Sequence, residues 1–197
     1  ISSAASDVYK RQPMYREMGA DCLIAVGGGS TMDSAKGIAM IGESDNDIVD
    51  CEKVSFTANP YVDLPWKTYP MIAVTTTCGT GSEVIRNAVI TERNGHKGVL
   101  MHDCILPKYA IEDPDLLASL PAHVASFVQS VESYVSNAAT LFSEMCSMRA
   151  IELLGPNLVK YVRNPSDPVV ADCISKGSML GGMAWNGSFP CQIHGCN

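Results

Sequence analysis

One stretch, residues 19–39, constrains the fold more than any other part of this 197-residue chain. An apolar run over residues 22–26 predicts a buried strand, since Ile24 and Val26 are β-branched. Three glycines follow, and Ser30 stands where a helix N-cap is expected. Glycines let the backbone approach a ligand closely, and the N–H groups at a helix start bind anions. The stretch therefore predicts a site for the diphosphate of a nucleotide, with a plain tight turn as the simpler alternative.

A second strand leads into a second glycine-rich segment. Residues 70–76 predict a buried strand, and hydroxyl side chains and glycines occupy residues 77–84. Threonine hydroxyls at the carboxyl end of a strand suit the crevice of a nucleotide-binding sheet. Further short strands are predicted at 88–91, 98–101 and 109–112, and Asp113-Pro114 closes this series.

The period of the apolar residues changes after Pro114. Helical spacing recurs over residues 124–135, 145–154 and 167–186, and the last of these carries a run of small residues that permits close helix packing. We therefore predict a partial, Rossmann-like α/β nucleotide-binding domain at 13–113, followed by a partial all-helical domain at 114–197. Residues 1–12 are polar and aperiodic, so we expect them to be extraneous or disordered, and we expect the chain to be truncated at its N-terminus.

Charge and cysteine usage exclude several classes of function. The net charge is −7, the pI is about 5.0 and no basic cluster is present, so we expect no nucleic-acid partner. No apolar run has the length of a membrane span and no signal peptide is visible, so we expect a cytoplasmic protein without a membrane partner. None of the eight cysteines forms a Cys-x-x-Cys pair, which favours free thiols over a zinc ribbon.

Four segments together resemble the iron-containing, or group III, alcohol dehydrogenases. They are GGGSTMDSAK at 27–36, TTTCGTGSEVIRNAVIT at 75–91, LPKYAIEDPDLLASLP at 106–121 and VESYVSN at 131–137. The resemblance implies an N-terminal α/β domain that binds NAD or NADP, a helical domain that holds a divalent metal, and an active site in the cleft between them. It also implies a small alcohol or aldehyde substrate, and it leaves room for a homo-oligomer.

The resemblance assigns residues to the cofactor. The diphosphate would be held by the glycine turn and the helix after it, and the remaining residues would line the cofactor crevice or reach the cofactor from the next strands. These residues are Gly28, Gly29, Ser30, Asp33, Thr76, Thr77, Thr80, Asn87 and Lys97. Asp33 has an alternative interpretation as a carboxylate that caps the helix at its third position.

The metal site departs from the family pattern, which uses one aspartate and three histidines. The segment that carries the aspartate is missing, and Ala125 or Ser126 occupies its place. Gln129 stands at the first histidine position and His194 matches the second, while the third would lie beyond Asn197. A divalent metal such as Fe²⁺ or Zn²⁺ needs three or four ligands. We therefore predict that the chain as given binds such a metal poorly.

Three functional hypotheses follow. The first is an NAD(P)-dependent, metal-dependent oxidoreductase that interconverts a small alcohol and its aldehyde or ketone. The second is a catalytically inactive fragment that retains a nucleotide-binding half-site. The third is a metal-independent relative acting on an acidic substrate, which would require more basic residues near the cleft than Arg86 and Lys97.

Overall fold

The computed structural model describes residues 5–45, 48, 51, 64, 66–91, 95, 97–117 and 125–188. The strands in these ranges are β1 Leu23–Gly27, β2 Met71–Thr75, β3 Asn87–Thr91, β4 Lys97–Met101 and β5 Tyr109–Glu112. The helices are α1 Ala5–Glu17, α2 Gly29–Ile41, α3 Ala125–Val135, α4 Leu141–Leu154, α5 Leu158–Arg163 and α6 Pro168–Asn186. Short 3₁₀ turns lie at Ser82–Val84, Asp103–Ile105 and Pro114–Leu117. The strands precede α3–α6 in the chain, which confirms the predicted fold class.

The chain divides into two compact units. Unit 1 comprises Ile1–Val74 and Arg86–Ile111, and unit 2 comprises Thr75–Ile85 and Glu112–Asn197. The boundary predicted near residue 113 is therefore adjacent to the one between residues 111 and 112. However, the glycine-rich segment 75–85, which the sequence predicts within the α/β domain, packs as part of the helical unit.

The reason for this reassignment lies in the backbone contacts of the segment. The amide of Gly79 donates to Ser178 Oγ at 2.8 Å, and Asn186 Nδ2 donates to the carbonyl of Val84 at 2.6 Å. Both partners lie on α6, and a Cβ atom on Gly81 would come within 2.7 Å of the Cα atom of Gly182. The run of small residues on α6 thus accommodates this loop at Gly182, and it also permits the predicted close helix packing, since a Cβ atom on Gly177 would lie 2.6 Å from Leu154 of α4.

Unit 1 contains a three-stranded sheet in the order β1-β2-β5. The amide of Leu23 donates to Pro70 O at 2.9 Å, and the amide of Lys108 donates to Met71 O at 2.8 Å. These bonds join the beginnings of neighbouring strands, so the three strands run parallel. Strands β3 and β4 form a separate antiparallel hairpin.

Strand β1 corrects one expectation. We predicted a buried strand, but Ile24 and Val26 are 65% and 58% exposed and only Ala25 is buried. Among the described strands, β1 lies at one edge of the sheet, and Ala25 packs with Met32 and Ala35 of α2. A period-2 strand that is covered on one face leaves its alternate side chains outside.

Helix α1 corrects the expectation for the first residues of the chain. Residues 5–12, which we expected to be extraneous or disordered, belong to the helix Ala5–Glu17. Val8 and Tyr15 are buried with Ile38 and Ile41 of α2 in the main apolar cluster of unit 1, and the Tyr15 ring lies 4.3 Å from that of Tyr69. This packing orders a segment whose own sequence shows no helical period.

The described residues of unit 2 after Leu117 form four helices and the short loops between them. Its apolar cluster joins α4, α5 and α6 through residues such as Leu154, Tyr161 and Ile174. The Tyr161 hydroxyl donates to Leu117 O at 2.8 Å within this cluster. Helix α5 escaped prediction because six residues are too few to show a period. No helix among the described residues is long and apolar enough to cross a membrane.

Candidate cofactor site

The glycine turn joins β1 to α2, as the sequence indicates, but the helix begins earlier than predicted. Gly28 is the N-cap, with φ −91° and ψ −170°, and its carbonyl accepts from the amides of Thr31 and Met32 at 3.0 and 3.1 Å. Ser30 therefore lies inside the first turn, and its assignment as N-cap is wrong. A glycine cap has no side chain to offer, so no side-chain hydrogen bond caps this helix.

The backbone of the turn packs tightly against the helix that it starts. Gly27 has φ +154°, and a Cβ atom there would lie 2.6 Å from Thr31 Oγ1. Ser30 is exposed beside it, and Gly28 and Gly29 are half-buried. A helix start with a glycine cap and an exposed hydroxyl in its first turn fits a diphosphate, which would accept hydrogen bonds from the N–H groups.

Asp33 and Lys36 turn inward from α2 to the main chain of β3. Asp33 Oδ2 accepts from the amide of Val89 at 3.1 Å, and Lys36 Nζ donates to the carbonyl of Asn87 at 2.8 Å. Because Gly28 is the cap, Asp33 lies beyond the first turn, and its alternative interpretation as a capping carboxylate is wrong. The structure thus brings Asp33 and Asn87, two of the residues assigned to the cofactor, to the same side of unit 1.

Asn87 and Lys97 lie at opposite ends of the β3–β4 hairpin. Asn87 pairs with Met101, whereas Lys97 pairs with Thr91, four residues further along β3. At the usual rise per residue the two positions are about 13 Å apart along the strand direction. The Asn87 side-chain oxygen Oδ1 is buried and has no hydrogen-bond partner, while Lys97 is exposed. A buried acceptor without a partner is costly unless a ligand supplies the donor, so Asn87 fits a cofactor contact well.

Thr76, Thr77 and Thr80 belong to unit 2, in the segment 75–85. Thr75 Oγ1 donates to Thr77 O at 2.9 Å, and Thr80 Oγ1 accepts from the amide of Ser82 at 3.3 Å. These local bonds fix the turn after β2. Thr76 and Thr77 are half-buried and Thr80 is exposed. Their predicted contact with a cofactor stays a prediction.

The described residues do not assemble a metal site. Gln129 is buried on α3 with Glu132 one turn later, but no group of three or more His, Cys, Asp or Glu side chains within the described ranges is arranged to hold a metal ion. Ser126, at the place of the family's aspartate, donates to Ser178 Oγ at 3.0 Å. His194 lies outside the described residues. The described donors therefore do not by themselves form a metal site.

Sequence reasoning missed two buried charged groups. Lys36 fits the helical pattern of α2, and its position among the apolar Ala35, Ile38 and Ala39 is the sequence signal of a buried contact. The second group is a pair of glutamates, of which Glu83 is 2% exposed and Glu112 is half-buried. Ser175 Oγ donates to Glu112 Oε2 at 2.6 Å. Burial raises the pKa of Glu112, and hydrogen bonds with Ser175 and Glu83 act in the opposite direction.

A parallel sheet whose first strand leads through a glycine turn into a helix without a side-chain cap defines an α/β nucleotide-binding unit, and here the chain continues into a helical unit. The chain belongs to the iron-containing alcohol dehydrogenase family. The model of the family "Iron-containing alcohol dehydrogenase" matches residues 4–114, and that of its C-terminal domain matches residues 122–196. The two matches lie on either side of residues 115–121, close to the boundary between the units.

Individual relatives agree with this assignment. The chain is 33% identical over 181 residues to alcohol dehydrogenase 4 of Schizosaccharomyces pombe, covering 88% of this chain and 41% of that protein. Among solved structures, it is 31% identical to an alcohol dehydrogenase from Oenococcus oeni, with a TM-score of 0.87 over 97% of this chain and 50% of the other. It is 28% identical to sulfoacetaldehyde reductase from Bifidobacterium kashiwanohense in complex with NAD⁺, with a TM-score of 0.87 over 98% of this chain and 52% of the other. The chain thus spans about half the length of these relatives or less.

Proposed function

We propose that this chain is the cofactor-binding part of an NAD(P)-dependent oxidoreductase that interconverts a small alcohol and its aldehyde or ketone. The observation that carries the proposal is the start of α2, where the Gly28 cap leaves the helix without a side-chain cap beside the exposed Ser30. When bound, the nicotinamide nucleotide would supply the hydride acceptor of alcohol oxidation. Family membership and the NAD⁺ complex of one relative support the choice of cofactor.

The residues of the chain would act by binding and orientation. The N–H groups at Gly29 and Ser30 would hold the diphosphate, and Asn87 Oδ1 would accept a hydrogen bond from the nucleotide. Thr76, Thr77 and Thr80 would line the crevice, and Lys97 would reach the cofactor from the end of β4. The family name implies iron, and Fe²⁺ or Zn²⁺ would be expected in a full-length family member, with His194 and Gln129 as the candidate ligands in this chain.

A cofactor-binding chain without turnover is the second candidate. It rests on the ligand positions of the sequence, where Gln129 and His194 stand for a family set of one aspartate and three histidines. The third hypothesis, an acidic substrate, receives little support from the basic residues named for it, because Arg86 is paired with Asp103 at 3.0 Å. Cofactor binding is common to the first two candidates, and alcohol-dependent reduction of the cofactor separates them.

The substitution Gly28→Val tests the cofactor assignment. The backbone angles of Gly28 are extended and open to valine, so the variant should fold, while its branched side chain fills the space that the diphosphate requires. We expect the dissociation constant for NAD⁺ or NADP⁺, measured by calorimetry, to rise at least about tenfold, or about 1.4 kcal/mol. An unchanged constant in a variant with an unchanged melting temperature would remove the turn from the site.

A further inference from the structure

A fully buried lysine stands behind the proposed cofactor contact of Asn87. Lys36 is 0% exposed on α2, and its Nζ atom donates to the main-chain carbonyl of Asn87 at 2.8 Å. Burying an ammonium group is expensive unless it is hydrogen-bonded and paired. Asp33, one turn earlier on the same face of the helix, supplies a nearby opposite charge.

The two side chains bind the open edge of β3. Among the described strands, β3 pairs with β4 alone, and the amide of His102 donates to the carbonyl of Arg86 in that direction. Main-chain groups of successive residues in a strand point to alternate sides. Because the Arg86 carbonyl points to β4, the Asn87 carbonyl and the Val89 amide point away from β4 and toward α2. Lys36 takes the carbonyl and Asp33 takes the amide. The helix therefore fixes the main chain of β3 on both sides of Ala88.

The hydrogen bond from Lys36 fixes the main chain from which the Asn87 side chain projects. Asn87 Oδ1 is buried without a hydrogen-bond partner, whereas its main-chain carbonyl is held by Lys36. A hydrogen-bond acceptor contributes to ligand affinity only if its position is fixed before the ligand binds, because a displacement of about 1 Å can remove most of that contribution. Lys36 contacts the main chain of Asn87 and is 0% exposed, so it would not contact a ligand itself.

We propose that Lys36 is a positioning residue of the cofactor site, whose buried ammonium group holds the Asn87 main chain so that Oδ1 meets an N–H or O–H donor of the nicotinamide nucleotide. The proposal rests on the proposed function, since it requires that the nucleotide binds at Asn87. It assigns to Lys36 a role that acts through Asn87 alone. That dependence is what an experiment can measure.

A double-mutant cycle on the 197-residue chain, with NAD⁺ affinity measured by calorimetry, tests the dependence. Lys36→Met keeps the length and apolar stem of the side chain and removes the donor, and Asn87→Ala removes the acceptor. We expect each single substitution to weaken NAD⁺ binding about tenfold, and the double variant to be weakened about tenfold as well rather than a hundredfold. Losses that multiply would overturn the proposal.

Two further variants separate positioning from general stability. Lys36→Arg keeps a buried cationic donor and should retain NAD⁺ affinity within about threefold, so it decides the question if Lys36→Met does not fold. Ile90→Val removes a buried methylene from the same strand without touching Asn87, and it should lower the melting temperature and leave NAD⁺ affinity unchanged. If Ile90→Val weakens binding as much as Lys36→Met, or if a folded Lys36→Arg loses binding, Lys36 is not a positioning residue.

The same experiment distinguishes failure of the proposal from failure of the proposed function. If the unaltered chain does not bind NAD⁺, both fail together. If the unaltered chain binds and Gly28→Val abolishes binding, while the Lys36 and Asn87 substitutions multiply, the cofactor site stands and only the role of Lys36 is refuted.

Discussion

The close approach of the segment 75–85 to α6 can be tested by adding a single methyl group. A Cβ atom on Gly182 would lie 2.7 Å from Gly81 O, 2.8 Å from Val84 Cγ2 and 3.0 Å from Gly81 Cα. Two of these atoms belong to the main chain and cannot rotate away. The substitution Gly182→Ala must therefore displace the turn that carries Thr80 or shift the helix.

The expected magnitude follows from two opposing effects. Alanine in a helix interior is about 1 kcal/mol more favourable than glycine, which by itself would stabilise the variant. Overpacking against a rigid backbone costs about 1–3 kcal/mol, and contact with main-chain atoms places this site at the upper end. We therefore expect Gly182→Ala to lower the free energy of unfolding of unit 2 by about 2 kcal/mol.

Gly181→Ala is the matched control, because it brings the same helix propensity at the neighbouring position. Its Cβ atom would meet Ser130 Oγ at 2.7 Å, and this hydroxyl can rotate if it gives up its bond to Ser126 O. The lost hydrogen bond costs about 1 kcal/mol, so the net effect should be near zero. Urea unfolding followed by helical circular dichroism gives both values, and a Gly182→Ala variant as stable as Gly181→Ala would refute the reasoning.

Two other predictions concern protons and metal. Burial raises the pKa of Glu112 in the folded chain, so the folded state favours the protonated carboxyl. The stability that Glu112 contributes is therefore fully present below the ordinary carboxyl pKa and is lost as the pH rises through the native pKa. At acid pH the Glu112→Gln variant should therefore be about as stable as the unaltered chain, and above about pH 4.3 it should become progressively more stable than the unaltered chain. Urea unfolding of both proteins over a pH series checks this, and a stability difference that does not change with pH would contradict it. The 197-residue chain should also retain Fe²⁺ or Zn²⁺ at well below one equivalent after dialysis, because its sequence offers Gln129 and His194 as candidate ligands and a divalent ion needs three or four. Metal analysis with His194→Ala as the comparison checks this, and stoichiometric metal with alcohol-dependent reduction of NAD⁺ would show that other residues complete a site.

The sequence by itself determined the order and kind of the elements. Apolar runs followed by glycines predicted β1 and β2, and the change of period after Pro114 predicted α3, α4 and α6. The four motif segments were enough to identify the family, and the family models confirmed it. These features are local, since each depends on residues within one element or on a turn that joins two.

Only the tertiary structure decided which distant groups meet. It assigned the segment 75–85 to the helical unit, exposed Ile24 at the edge of a sheet, and moved the cap of α2 from Ser30 to Gly28. It also placed Lys36 against Asn87, 51 residues later in the chain. A lysine in a helical pattern has the same local preference whether it is solvated or buried. Its environment depends on the strand that packs over it, and periodicity within the helix carries no information about that strand.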